Sequence, residues 1–255
     1  MHQFFDLTGR VALVTGASSG LGRHFALLLA ERGARVVAAA RREERLQSLV
    51  DEIRGVGGQA VAVSMDVTSP ADIAACFDQG EQAFGTIELV VNNAGIGWGG
   101  RLEEMPADDW QRMLTTNLGG VHHVAAETAR RLIAAGRPGS IVNIASILGT
   151  RVATGNAAYN ATKAAVIQLS RSQALEWARH AIRVNSLCPG FFPTEINSDY
   201  LESEAGQAML KRIPMRRVGR TEELDAPLLL LLGDEGSFIT GTEINVDGGH
   251  LCSSL

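Results

Sequence analysis

The feature that most narrows what this chain can fold into is the run Arg10 to Gly22, which reads RVALVTGASSGLG. An apolar stretch of strand length passes directly into a glycine-rich turn. A helical pattern follows from Gly20 to Arg32, and Gly33 stops it. Apolar residues at successive positions, without alternation, mark a strand covered on both faces, as in a parallel sheet flanked by helices. In the turn, Gly16 permits a tight bend, Gly20 lets the backbone approach a pyrophosphate, and Gly22 allows close helix packing. The helix start offers free N–H groups and the positive end of its dipole to an anion. The spacing TGxxxGxG differs from the common GxGxxG, so the strand–loop–helix context carries the phosphate reading against that of an ordinary loop.

The same alternation continues along the chain. Strands are expected at Arg10–Val14, Arg35–Ala40, Ala60–Ser64, Ile87–Asn92, Ser140–Ala145, Arg183–Cys188 and Ile244–Val246. Helices are expected at Glu43–Val56, Pro70–Phe84, Trp110–Ala135 and Ala158–His180. Strands separated by helices imply right-handed crossovers, and so an α/β fold with a doubly wound parallel sheet. With no internal repeat or linker, residues 1–255 read as one domain. The interval from residue 191 to 220 follows a Pro-Gly break and lacks a strand. It is either a lid over the site or a pair of packed surface helices.

Composition excludes several classes. A formal net charge of -5 argues against a nucleic-acid footprint. The cations Lys211, Arg212, Arg216, Arg217 and Arg220 read as a solvated face. The apolar run Ala226–Leu232 is too short to span a membrane. Residues 1–10 lack the pattern of a signal peptide, and the 3 cysteines lie far apart, which fits a reducing, cytoplasmic compartment. No Cys/His group has metal-ligand spacing, and the adjacent His122 and His123 point apart on a helix.

Beyond the first turn, the second strand ends in Ala39-Ala40-Arg41-Arg42, where a cofactor with a free ribose 2′-hydroxyl usually meets an acid. Arg41 and Arg42 instead suit a 2′-phosphate, which favours NADP(H) over NAD(H). If both arginines are simply solvated, Glu43 or Glu44 would serve an NAD ribose. Asp66, in Met65-Asp66-Val67, would accept a hydrogen bond from an adenine amine or cap the next helix. Asn92-Asn93-Ala94-Gly95 would let the chain run close beside a flat ligand, or form only a turn.

A second set of residues suits proton transfer. Tyr159 and Lys163 share one helix face, a turn apart. A free tyrosine titrates near pH 10, and a nearby ammonium would lower that value. Tyr159 would then give a proton to a carbonyl oxygen or take one from an alcohol. Ser146, ending the fifth strand, would hold the same oxygen. Lys163 would also reach a nicotinamide ribose. Asn117 would hold a water for a proton relay, or distort its helix. Taken singly, each reads as structural. Taken with a phosphate loop at the same end of one sheet, they read as chemistry.

In the segments TGASSGLG (Thr15 to Gly22, including Ser18, Ser19 and Leu21), NNAG (Asn92 to Gly95), Asn117, Ser146, YNATK (Tyr159 to Lys163) and Pro189-Gly190 with Thr194, the chain resembles the short-chain dehydrogenase/reductase family over essentially its whole length. The resemblance implies a single-domain Rossmann fold with a seven-stranded sheet and a tetrad of Asn117, Ser146, Tyr159 and Lys163. It implies that Pro189, Gly190, Phe192 and Thr194 meet the nicotinamide, and Asp66 and Val67 the adenine. Arg41 falls where members that use NADP carry an arginine, although their extra basic residue in the glycine loop is Ser19 here. A homo-oligomer, tetramer or dimer, is also implied, with the tail from His250 to Leu255 at an interface or frayed.

The expected activity is NADP(H)-dependent interconversion of a ketone and a secondary alcohol, with an apolar pocket from Trp98, Leu148, Phe191 and Phe192. Reduction of a 3-oxoacyl thioester is the alternative, with the Lys211–Arg220 cluster as a docking surface. A catalytically silent nucleotide sensor is the non-enzymatic alternative, disfavoured because all four chemical residues are present.

Overall fold

The computed structural model describes residues 4–193 and 201–252. The strands are β1 (Val11–Thr15), β2 (Arg35–Ala40), β3 (Gln59–Ser64), β4 (Leu89–Asn92), β5 (Gly139–Ile144), β6 (Ile182–Pro189) and β7 (Glu243–Val246). They form one 7-stranded sheet in the order β3-β2-β1-β4-β5-β6-β7. Every pairing in it is parallel. The order reverses between β1 and β4, so a crevice opens at their carboxyl ends, where open α/β sheets bind ligands.

The helices are α1 (Gly20–Glu31), α2 (Glu43–Gly55), α3 (Pro70–Phe84), α4 (Ala107–Leu114), α5 (Gly120–Ala135), α6 (Ala157–Trp177), α7 (Glu204–Leu210) and α8 (Asp225–Leu232). Two apolar layers explain the unbroken apolar strands. Ala12 and Val14 of β1 point into a layer with Phe25 and Leu29 of α1, Leu46 and Leu49 of α2, and Leu228 of α8. Val11 and Leu13 point the other way, against Phe77 of α3 and Val124 of α5. Alternate side chains of one strand thus feed opposite layers, and both layers are buried.

Three elements differ from the sequence expectation. The helix expected at Trp110–Ala135 begins earlier and is split: a π-helical turn at Thr115–Gly119 separates α4 from α5. The run Ala226–Leu232 lies in the helix α8. Its apolar residues carry no period, and a helix buried on most sides shows none. Within the interval 191–220, α7 is the described helix, and Thr194 lies outside the described residues.

Candidate active site

The two loops flanking the switch point are clamped together. Thr15 ends β1, and its Oγ1 accepts the backbone N–H groups of Asn93 and Ala94, each at 3.0 Å. In return the Asn93 amide donates to the carbonyl oxygens of Thr15 at 3.0 Å and Gly16 at 3.4 Å. The close approach requires glycine. Gly16 has a φ of +67°, and a Cβ on Gly22 would sit 2.3 Å from the Gly16 oxygen. Asn93 therefore braces the glycine turn.

This turn fits a dinucleotide phosphate. Ser19 begins α1 without capping it through its side chain, and no acid lies in the first helical turn, so donor groups and dipole face outward for an anion. Gly20 adopts a positive φ of 53°, and Leu21 packs against the first apolar layer. Arg42 crosses to the turn, donating to Ser18 Oγ at 3.1 Å and Ser19 Oγ at 2.6 Å. Arg41 is exposed. Asp66 is held below its usual range, first by the Thr68 backbone N–H, with the Thr68 hydroxyl and the Arg41 charge helping. Asp66 accepts from Thr68, and the cap of α3 is Ser69. Val67 packs so close to α5 that a Cβ on Gly120 would come within 2.7 Å of it.

Beside the turn lies a pocket of ≈ 230 Å³, lined by Ser18, Ser19, Gly20, Arg23, Arg45 and Ser48. Arg23, Arg45 and Ser48 escaped the sequence reading. Arg45 and Ser48 follow Arg42 at helical spacing, which was the available signal.

At the chemical end, Ser146 follows β5 in extended conformation, and its Oγ accepts the Leu148 N–H at 3.1 Å. Lys163 reaches back from α6 to donate its Nζ to the Ile144 oxygen of β5 at 2.7 Å. The same Nζ lies 5.4 Å from the centre of the Tyr159 ring. The structure thus brings Ser146, Tyr159 and Lys163 together.

The electrostatics differ from expectation. Lys163 does not pull the phenol down in this state. Burial pushes Tyr159 up to about 12, opposed only by a hydrogen bond with Ser146. Burial also brings Lys163 down to about 8. The ammonium lies against the ring face and a backbone carbonyl, and the same burial penalises both charged forms.

Asn117 is fully buried in the π-helical turn. Its Oδ1 accepts the Ile96 N–H at 2.8 Å, and its Nδ2 donates to the Ile96 oxygen at 2.9 Å. The side-chain amide is therefore engaged with the loop after Gly95, where a Cβ would stand 3.3 Å from Asn117 Oδ1. Of the two roles expected for Asn117, this arrangement matches the local distortion of the helix.

On the opposite side, Pro189 ends β6, and Gly190 passes Asp247 so closely that a Cβ would sit 2.8 Å from its Cα. Phe192 is buried over Gly219, while Phe191 lies 5.8 Å from the His250 ring. Both line a pocket of ≈ 310 Å³ with Ile213 and Met215. Trp98 folds onto Gly100, which donates to the Gly155 oxygen before α6. The cationic cluster is largely tied to itself: Arg217 and Arg220 both bind Glu223, and Arg216 donates to the Lys211 oxygen.

A glycine turn that fits a phosphate and a Ser146–Tyr159–Lys163 group, with Ser146 and Lys163 buried and Tyr159 half-buried, at the carboxyl ends of one parallel sheet have the arrangement of a nucleotide-dependent oxidoreductase. A family profile described as Enoyl-(Acyl carrier protein) reductase matches residues 16–250. A 3-oxoacyl-[acyl-carrier-protein] reductase of Thermotoga maritima is 39% identical over 95% of this chain and 98% of its own length. A short-chain type dehydrogenase/reductase from Mycobacterium marinum superposes with a TM-score of 0.93 at 40% identity, covering 98% of each chain. A gluconate 5-dehydrogenase from Burkholderia cenocepacia, in complex with NADP and tartrate, does so at 0.94 and 37%, again over 98% of each. The chain belongs to the short-chain dehydrogenase/reductase family. It is an oxidoreductase that interconverts carbonyl and alcohol groups of small molecules with a nicotinamide dinucleotide. Among the described residues no helix is long and apolar enough to cross a membrane.

Because burial holds Lys163 near 8 against an ordinary 10.5, the folded protein binds fewer protons than the unfolded chain between those values. Its stability should therefore rise with pH across that window. Urea unfolding of wild type and Lys163→Met at pH 7.5 and pH 10 should show the difference shifting toward wild type at the higher pH. An unchanged difference would mean that Lys163 is not desolvated.

Proposed function

We propose that the chain reduces a ketone to a secondary alcohol with NADPH, and catalyses the reverse, with Tyr159 as the proton-transfer group. The observation that carries this reading is the half-buried Tyr159, one helical turn before Lys163, whose Nζ lies 5.4 Å from its ring centre. The nicotinamide supplies or takes up the hydride. Ser146 holds the substrate oxygen, and Tyr159, protonated at neutral pH, gives it the proton. Lys163 would hold the nicotinamide ribose and would support the phenolate as it forms. Asn117 positions the loop at Ile96. Gly16, Gly20, Asn93, Ala94 and Gly95 would line the dinucleotide, with Pro189, Gly190 and Phe192 toward its nicotinamide and Asp66 and Val67 toward its adenine.

NADP(H) is preferred over NAD(H) because Arg41 is exposed after β2, and Arg42 and Arg45 stand beside the glycine turn. A simple ketone is preferred over a carrier-borne thioester. Two of the cations that would dock a carrier protein, Arg217 and Arg220, are engaged at Glu223, and Trp98, Leu148 and Phe191 would offer an apolar wall. A homo-oligomer fits the exposed apolar residues Trp110 of α4 (38%), Ile133 of α5 (41%) and Leu175 of α6 (84%). A cytoplasmic location fits the free cysteines.

Assay of a ketone panel with both coenzymes should show turnover by wild type. Tyr159→Phe should lose about a hundredfold or more while still binding NADPH. Binding of NADPH without turnover of any ketone or alcohol would defeat the enzymatic reading. Arg41→Ala should weaken NADPH about tenfold or more, in line with a charge-assisted hydrogen bond, and NADH much less. Equal losses would contradict a 2′-phosphate role.

A further inference from the structure

The helix α6 carries both Tyr159 and Lys163, and polar contacts pin it to β5 along one line. Lys163 Nζ donates to the Ile144 oxygen at 2.7 Å, and Asn143 Nδ2, on the same strand, donates to Ser170 Oγ at 2.8 Å. Seven residues apart, Lys163 and Ser170 lie within about 20° of one another around the helix axis. Two anchors on one line act as a hinge. Beside them Val166 and Ile167 of α6 pack in an apolar group with Val121, Ala145 and Cys188. Apolar contact is not directional, so it resists separation of the helix from the sheet better than rotation about that line.

Thr162 supplies a third anchor off the line. Adjacent to Lys163, it projects about 100° away around the axis. The residue is fully buried, and its hydroxyl is used as donor and acceptor at once. Oγ1 donates to the Tyr159 oxygen at 2.8 Å and accepts an N–H of Asn117 Nδ2 at 3.4 Å. The rest of that amide is taken by the backbone of Ile96, at 2.8 Å and 2.9 Å. One chain of hydrogen bonds thus runs from the loop after Gly95, through the π-helical turn and Thr162, into the peptide of Tyr159 itself.

We infer that Thr162 is a positioning residue for the reaction, fixing the roll of α6 and with it the place of the Tyr159 phenol beside Ser146. The inference rests on the reading of Tyr159 as the proton-transfer group. Tyr159 lies about 40° from Lys163 around the helix, on the side of Thr162, so a roll of α6 carries the phenol with it. A turn of about 10° displaces a group roughly 6 Å from the axis by about 1 Å. Misplacement on that scale can cost about a hundredfold in rate. The glycine turn of Gly16–Gly22 stands on β1 and α1, outside this chain of bonds, so loss of the hydroxyl acts on turnover and leaves NADPH binding nearly unchanged.

Thr162→Ala and Thr162→Ser both lack the methyl group and differ only in the hydroxyl. With saturating NADPH and a ketone that wild type reduces, kcat of Thr162→Ala should fall about tenfold or more below that of Thr162→Ser. Thr162→Ser should stay near wild type, and all three proteins should bind NADPH alike. Asn117→Ala should lower kcat less in the Thr162→Ala protein than in wild type, because both changes break one chain of contacts. Should Thr162→Ala fail to fold, Thr162→Val compared with wild type removes the same hydroxyl. Equal kcat with and without the hydroxyl, a loss confined to NADPH binding, or full additivity with Asn117→Ala would overturn the inference while Tyr159→Phe stays inactive. Full turnover by Tyr159→Phe would instead overturn the underlying reading of Tyr159.

Discussion

The arrangement depends on one buried contact, the Lys163 Nζ bound to the Ile144 carbonyl at 2.7 Å. It ties the first turns of α6 to the last residue of β5, and with them Tyr159 to Ser146. An ammonium out of water is costly, so the same contact that fixes the geometry lowers the proton affinity of the lysine. A phenol desolvated alongside it resists losing its proton. With Tyr159 neutral, the proton for a carbonyl oxygen is in place, and its release draws on positive charge held nearby. Taking one from an alcohol needs additional positive charge close to the phenol. Position and protonation state thus follow from one act of burial.

The cofactor end is held by an analogous device of opposite character. There the partners are neutral: Thr15 Oγ1 with two N–H groups, and the Asn93 amide with two carbonyls. These bonds close the β1 and β4 loops on each other without placing a charge, and the donor end of α1 is left to meet the phosphates. The sheet order then sets the distance between the two devices. β4 lies between β1 and β5, so phosphate turn and proton donor stand two strands apart on one edge.

Much of this was legible from residue types. Strands with apolar residues on both faces announce themselves, as do the glycines of Gly16–Gly22 and the Tyr159–Lys163 spacing. What was hidden depended on tertiary contact. The bracing role of Asn93 requires knowing that β4 pairs with β1. The π-helical turn around Asn117 follows from an amide bonded to Ile96, 21 residues away, which no local periodicity encodes. The direction of the Tyr159 shift was misread because spacing reports proximity and says nothing of burial. The helix α8 was invisible to periodicity since it is apolar nearly all round.

The claim that burial governs Tyr159 has a direct measurement. The chain holds only 2 tyrosines, so ultraviolet titration of tyrosinate in cofactor-free wild type, minus that of Tyr159→Phe, isolates one phenol. The account predicts that the isolated transition lies near 12. A transition at or below about 10, the value of a free tyrosine, would show that Lys163 holds its charge against the phenol and would contradict it.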